Sequence, residues 1–396
     1  MDDGSPKTPP ARSADEALER LEALAPEVRE RAAEAEAGAR IPPDLIAKVR
    51  RTGVFRLFTP KSHGGIEAPF GEGLKVLQGA ARIDGSLGWV VTIGVTAPLM
   101  FCRLPRAVFD ALYAGGPDLI QAGAAATPGG FAEKAENGWT AKGRWPFASG
   151  CQHADVILGN CALSEGGEPI KDPVTGMPVS KMVVLPAADF EIEPTWKVSG
   201  LKGTGSHHVR LSERLVPDER FFPMAGPTCI EGPLYRERAL GSWIPLMHAA
   251  FAVGVAEGAI EDLVEMATGG RRQLFARASM MESPVFQYEL GRLDADLAAS
   301  RALLDERTAL QWRRALDDAF DMTSMADSMQ AGVWITEACL RVASGCYSLG
   351  GGAALYETSP LQRRMRDLHA AAQHAVVQRQ NYQGLGQGRL GASGAH

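Results

Sequence analysis

The sequence predicts an α+β chain that is mostly α: an N-terminal helical domain over residues 1–118, a small β barrel or sandwich over 119–232, and a C-terminal four-helix bundle over 233–396. Three observations carry that prediction. Apolar residues recur at three- and four-residue spacing through roughly the first 115 positions. From Leu119 to about Phe222 the chain breaks into short alternating runs with turn residues between them. After Pro233 the helical period returns, in runs well beyond the average helix.

Residues 1 to about 12 hold three prolines and few apolar side chains, which reads as disorder. From Ala14 onward, Ala17, Leu18, Leu21 and Leu24 line one helical face while Glu and Arg alternate on the other. Pro42 and Pro43 mark a helix boundary, and Leu45, Val49 and Val54 continue the period. LFTPKSHGGIEAP is a Pro- and Gly-rich loop. A helix is expected from Phe70 to Ile83, and DGSLGWVVTIGVTAPLMF, apolar almost all round, reads as a buried helix. In the β segment Asn137-Gly138 is a strong hairpin signal ahead of WTAKGRWPF. VILGNCAL, KMVVLPA, FEIEPTW and HHVRLSERLV bring the expected strands to five or six. The bundle helices are RALGSWIPLMHAAFAVGVAEGAIEDLVEMA, PVFQYELGRLDADLAASRALLDERTALQWRRAL, MADSMQAGVWITEACLRVASGCYSL and a last one from Gly350 to about Gly384.

Composition narrows the function. Apolar content of 45% with 22% charged residues is that of a soluble globular protein. A net charge of −6 argues against a nucleic-acid partner, which calls for a basic face. No uninterrupted apolar run reaches the roughly 18 residues of a membrane span. The start MDDGSPKTPPARSADE is polar and acidic, unlike a secretory signal, so a cytoplasmic protein is expected. The six cysteines show no CxxC spacing and read as buried free thiols, and no histidine pair has metal-ligand spacing.

One stretch concentrates chemistry: GGGAALYETSPLQRRMRDLHAAAQH, from Gly350 to His374. Glycines allow close backbone approach, arginines favour phosphate or carboxylate, and histidine is the commonest general acid or base. A glycine-rich turn followed by a solvated basic helix is the plainer alternative.

The domain order and three stretches together resemble the acyl-CoA dehydrogenase fold family over nearly the whole chain. The best-matching branch is the oxygenase components of two-component flavin-dependent monooxygenases. RWPFASGCQHAD (Arg144–Asp155) resembles that branch's tryptophan-x-phenylalanine-x-serine-glycine turn. WKVSGLKGTGSHHVRLSERLVPDER (Trp196–Arg220) is similar to its glycine-threonine-glycine-serine strand pair, and the Gly350–His374 stretch to its final glycine turn and arginine-aspartate helix. The resemblance implies a homotetramer that takes reduced FMN or FAD as a diffusible co-substrate from a separate flavin reductase. With O2 it would hydroxylate a small aromatic or heteroaromatic compound through a flavin C4a-hydroperoxide. The alternatives are an acyl-CoA dehydrogenase-like flavoenzyme, an N- or S-oxygenating relative, and a catalytically silent scaffold of the same fold.

The resemblance also assigns residues. Phe147, Ala148 and Ser149 would line the flavin ring, with Ser149 near N5. Gly203, Thr204 and Ser206 would cradle phosphate, or else form a tight β-turn. Arg272 and Phe275 would reach a neighbouring subunit's flavin phosphate, and Gly350 and Gly351 would add backbone to the flavin pocket. In common dehydrogenases the catalytic glutamate follows the arginine-aspartate pair by eight residues. Counting from Asp367 gives Ala375, which cannot act as a base, whereas His374 beside it can. Glu357 mimics a dehydrogenase motif but precedes the arginines. His369 competes with His374 as the base; on one straight helix the two would stand roughly 140° apart. Trp89 and Phe101 would wall the substrate ring together with His374. Aromatic hydroxylases of the resembled branch often carry a histidine a few residues after the tryptophan, where this chain has Thr92, Thr96 and apolar residues.

Overall fold

Helices form where the sequence first repeats at helical spacing. The computed structural model describes residues 10–126, 128–272 and 278–391. Its N-terminal helices are α1 (Ala14–Glu22), α2 (Ala25–Glu30), α3 (Ala32–Gly38), α4 (Pro43–Thr52), α5 (Phe70–Ile83), α6 (Gly85–Gly94), α7 (Ala97–Phe101) and α8 (Arg106–Tyr113). The run read as one buried helix is two. Asp84 closes α5 and caps α6, accepting the Leu87 N–H at 2.9 Å. A turn through Val95 and Thr96 then restarts the chain as α7, with Pro98 in its first turn, where a missing N–H does no harm.

The middle segment is one connected mixed sheet. Its strands are β1 (Gln121–Ala124), β2 (Gly130–Ala135), β3 (Gly138–Trp145), β4 (Val156–Glu165), β5 (Glu168–Pro169), β6 (Ser180–Pro186), β7 (Glu191–Glu193), β8 (His208–Val216) and β9 (Phe221–Phe222). The order is β7-β8-β3-β2-β4-β6-β9, with β1 and β5 also paired to β4. Most pairs are antiparallel, but β1 and β2 run parallel to β4. The three strands beyond the expected six, β1, β5 and β9, span two to four residues, too short for alternation to register. The sheet's core forms round Trp145, which donates its indole N–H to the Asn160 carbonyl at 2.8 Å. Gly130, Gly143 and Gly159 make room for that ring: a Cβ on any of them would come within 2.3–2.4 Å of it.

The bundle consists of α9 (Leu240–Thr268), α10 (Pro284–Leu316), α11 (Met322–Gly350) and α12 (Pro360–Ala371), followed by α13 (Tyr382–Arg389). The single helix expected from Gly350 to Gly384 is therefore broken. Gly351, at φ 60°, ends α11, Pro360 opens α12, and two 3-10 turns follow α12. Apolar on every side, α9 matches a membrane span by length and composition. In this fold it is the central helix, with 89% of its most apolar window buried.

The N-terminal helices and the bundle share one hydrophobic core, running from Ala11 to Ala371, to which β4, β6 and β9 contribute Val156, Leu158, Met182, Val184 and Phe222, while other strand residues form a second core within the sheet. Two side chains of α12 join these parts. The buried Arg364 donates to Asp262 on α9 at 2.9 Å and to the Ala81 carbonyl of α5 at 3.1 Å. Asp367 accepts the backbone N–H of Leu201, from the loop ahead of β8, at 2.6 Å. The exit of α12, and with it His374, is thereby fixed against α5, α9 and the loop ahead of β8.

Candidate functional site

Trp89 stands on α6 where the sheet's loops meet the helices, and two groups of polar side chains converge on it. The first is a line of hydroxyls. The Trp89 indole N–H donates to Ser149 Oγ at 3.0 Å; Ser149 Oγ lies 2.7 Å from Ser206 Oγ, and Ser206 Oγ 2.7 Å from Thr204 Oγ1. Thr204 donates to the Leu201 carbonyl at 2.8 Å. An indole N–H only donates and a carbonyl only accepts, so every hydrogen in the line has one direction. Ser206 gives its proton to Thr204, and Ser149 gives its own to Ser206. Ser149 Oγ is left as an acceptor with one lone pair taken by Trp89 and the other uncommitted.

The second group is a pair of imidazoles. His248 of α9 and His374 lie with ring centroids 4.3 Å apart, and their centroids stand 5.2 and 5.8 Å from the Trp89 ring. The helix ends between His369 and His374, which frees the two histidines from a common helical phase. His374 caps the first 3-10 turn after α12, its Nδ1 accepting the Val376 N–H at 3.4 Å. The neutral ring then carries its proton on Nε2. Burial, and after it the neighbouring His248, holds the His374 pKa well below the usual histidine value. His248 donates from Nδ1 to the Ile244 carbonyl at 2.9 Å, which leaves Nε2 as a bare acceptor. Burial lowers the pKa of His248 to about 4. Among the described residues its Nε2 is buried without a hydrogen-bond partner, a condition that costs about 1–3 kcal/mol. His248 lines a pocket with Trp89, Phe251, Thr336, Leu368 and Val377, and the pocket's walls stand too close to admit water.

The other sequence-derived candidates fall in varied places. Phe147 has a left-handed backbone, φ 62°, and 66% exposure, with Trp196 and His208 edge-on to it at 6.2 and 6.5 Å. A bulky residue there costs about 1–3 kcal/mol, a strain typical of binding sites. Ala148 is buried beneath it, its N–H on the His207 carbonyl at 3.0 Å. Of the two readings of the GTGS run, the geometry matches the tight turn. The amides of Gly203, Thr204 and Gly205 are spent on Ser86 Oγ, Leu201 O and Lys202 O, which leaves none of these three for a phosphate. Gly350 and Gly351 serve the turn out of α11, where Gly350 packs against Leu361 and Ala354. Phe101 lies in the core edge-on to Phe222, and it is not among the pocket's lining residues. His369 is exposed on α12 and meets Ser344 Oγ at 3.1 Å, apart from the imidazole pair. Glu357 and Ala375 are both exposed, so neither supplies a buried base. Arg272 is exposed beyond α9, and Phe275 lies outside the described residues.

These residues fit a flavin. Reduced isoalloxazine presents an N5–H donor, which matches the uncommitted lone pair of Ser149, and a flat ring, which matches the exposed Phe147. The residue that sequence reasoning passed over is His248. Its signal was present: a titratable side chain in WIPLMHAAFAVGVA, a run with no polar face, is necessarily buried.

Family models agree with this architecture. "Acyl-CoA dehydrogenase, N-terminal domain" matches residues 18–102, and "Acyl-CoA dehydrogenase, C-terminal domain" matches 246–379. The chain is 30% identical over 361 residues to an indole-3-acetate monooxygenase of Acinetobacter baumannii, covering 90% of each chain. It is 29% identical over 373 residues to the flavin-dependent monooxygenase oxygenase subunit HsaA of Rhodococcus jostii, covering 91% of this chain and 94% of that one. The crystal structure of 3-HSA hydroxylase from Rhodococcus sp. RHA1 superposes with a TM-score of 0.87 at 26% identity, over 96% of this chain and 98% of that one. The chain belongs to the acyl-CoA dehydrogenase family, in its branch of flavin-dependent monooxygenase oxygenase components.

Proposed function

We propose that this oxygenase hydroxylates a small aromatic or heteroaromatic compound at the junction of Ser149, Trp89 and His374, with reduced FMN or FAD from a separate reductase. The directed hydroxyl line carries the reading. It orients Ser149 Oγ as a fixed acceptor, suited to the N5–H of reduced flavin and unable to turn away, because its own proton is held by Ser206. When bound, the reduced flavin supplies the electrons that activate O2. The chain's residues do the rest: Phe147 backs the ring, Ser149 holds its N5 edge, and a mostly apolar lining disfavours water. His374 holds a proton at Nε2 beside the substrate pocket and is kept neutral near pH 7 by burial.

Assembly as a homotetramer belongs to the same reading. Its support on the bundle surface is a set of apolar side chains left in solvent, Val285, Tyr288 and Trp334. The test supplies reduced flavin from a generic reductase with aromatic acids, phenols and indoles under 18O2. Product carrying one labelled oxygen is the expected result. Hydrogen peroxide alone across the whole panel overturns the reading.

A further inference from the structure

We propose that His248 is the substrate-recognition residue of this site, accepting a hydrogen bond through Nε2 from an N–H or O–H group on the aromatic substrate. The inference rests on the reading of the site as that of an aromatic hydroxylase. Its ground is the arrangement of one side chain. The Nδ1 proton is committed to the Ile244 carbonyl one turn back on α9, which leaves Nε2 free on a ring that lines the pocket, whose walls must part to admit a ligand. The pocket is otherwise apolar or already satisfied: Phe251, Ala252, Leu368, Ala371 and Val377 offer no polar group, and the Thr336 hydroxyl donates to the Gly332 carbonyl at 2.7 Å.

Among the described residues nothing else near His248 quenches the lone pair. The Trp89 N–H is used by Ser149, and His374 lies over the ring with a 33° tilt rather than in its plane. A phenylalanine would pack in this apolar surrounding without an orphaned acceptor, so the nitrogen is a cost to the empty fold that a donor on the ligand removes. The placement also bears on the run after Trp89, where Thr92 and Thr96 are the polar side chains ahead of Phe101. Thr96 accepts from Gln121 and donates to the Ile93 carbonyl, and the buried Thr92 hydroxyl, also unpartnered among the described residues, is not among the groups lining the pocket. The imidazole that meets the substrate's polar group comes instead from α9.

The experiment is equilibrium binding to the full chain by calorimetry, with indole against 1-methylindole and phenol against anisole. The donor-bearing member of at least one pair is expected to bind about tenfold tighter. The two pairs separate an N–H from an O–H ligand. In His248→Phe that ratio falls to near one without weakening the methylated compound, and in His248→Gln, which keeps an acceptor, part of it survives. Ratios within twofold for wild type in both pairs, no measurable binding of any of the four, or a ratio unchanged in His248→Phe overturns the proposal. Labelled-oxygen turnover, run separately, tells the two readings apart. A donor preference lost in His248→Phe without turnover by wild type sinks the hydroxylase reading and leaves the recognition role.

Discussion

The two walls that meet at Trp89 are built on opposite principles. On the sheet side, Ser149, Ser206, Thr204 and the Leu201 carbonyl form a line in which each hydrogen has one destination. On the helix side, two neutral imidazoles lie 4.3 Å apart, each with its pKa lowered by burial, and one keeps an acceptor with no partner among the described residues. A satisfied polar network rigidifies, whereas a half-satisfied one stores a cost until something binds. The sheet wall is thus suited to holding a cofactor that does not change shape, and the helix wall to meeting a substrate and handling its proton. Trp89 belongs to both, through its N–H on one side and its ring on the other.

The largest effect is expected at His374, where capping and proton handling share one ring. His374→Ala removes both, whereas His374→Asn keeps an acceptor near the Nδ1 position and removes only Nε2–H. Both variants are expected to lose hydroxylated product by about 10²- to 10⁴-fold, the range for a positioned acid or base. Reduced flavin should still be consumed, with hydrogen peroxide as the product. His374→Asn should unfold at a temperature close to wild type. His369→Ala, on the exposed face of α12, should change turnover by less than twofold. Full activity in His374→Asn would reduce His374 to a cap. The pH profile sharpens the point: with its pKa lowered, His374 contributes no ionisation between pH 6.5 and 8.

The two walls also differed in how far the sequence disclosed them. Ser149, Thr204 and Ser206 sit in short contiguous motifs, so local pattern was enough to single them out. What pattern could not supply was the direction of the protons, which follows from Trp89 and Leu201 arriving from distant points of the chain. His374 was found by counting from Asp367, while its tautomer depends on a 3-10 turn that helical periodicity had merged into one long helix. Periodicity marked α9 as buried all round. Which cavity His248 faces depends on how α9 crosses α5 and α6, and that is a tertiary fact. β1, which pairs parallel with β4, has four residues and no alternation to betray it.

A middle-sized effect tests whether the hydroxyl line works by direction. Ser149→Ala removes the uncommitted lone pair and strands the buried Trp89 N–H, at a cost of about 1–3 kcal/mol. Retention of reduced flavin should weaken by about tenfold, and the denaturation midpoint should drop. Ser206→Ala leaves that lone pair in place but releases the Ser149 proton and with it the fixed orientation, so flavin retention should weaken by about threefold, less than in Ser149→Ala. Equal losses in the two variants, read by anaerobic titration with reduced flavin, would mean that the line acts as packing and not as an oriented acceptor.

A third effect, read in stability and not in turnover or flavin retention, concerns the joint between the walls. Asp367 is buried, takes the Leu201 N–H on one oxygen, and has no partner for the other among the described residues. Burial, reinforced by Asp84, raises its pKa to about 7, so the folded protein keeps a proton that the unfolded chain releases near pH 3.8. A raised acid pKa adds stability at low pH and loses it as pH climbs through the folded value. His248 and His153, both lowered to about 4, act in the opposite sense and lose stability as pH falls from 6.5 toward 4. Asp367→Asn keeps an acceptor for Leu201 and deletes only the rising-pH loss. Relative to wild type, its denaturation midpoint should therefore improve steadily from pH 4 to about 7 and level off above that. A difference independent of pH would show that the carboxylate is already ionised in the fold, and that the Leu201 N–H is held to α12 by a charged acceptor and not by a neutral carboxyl group.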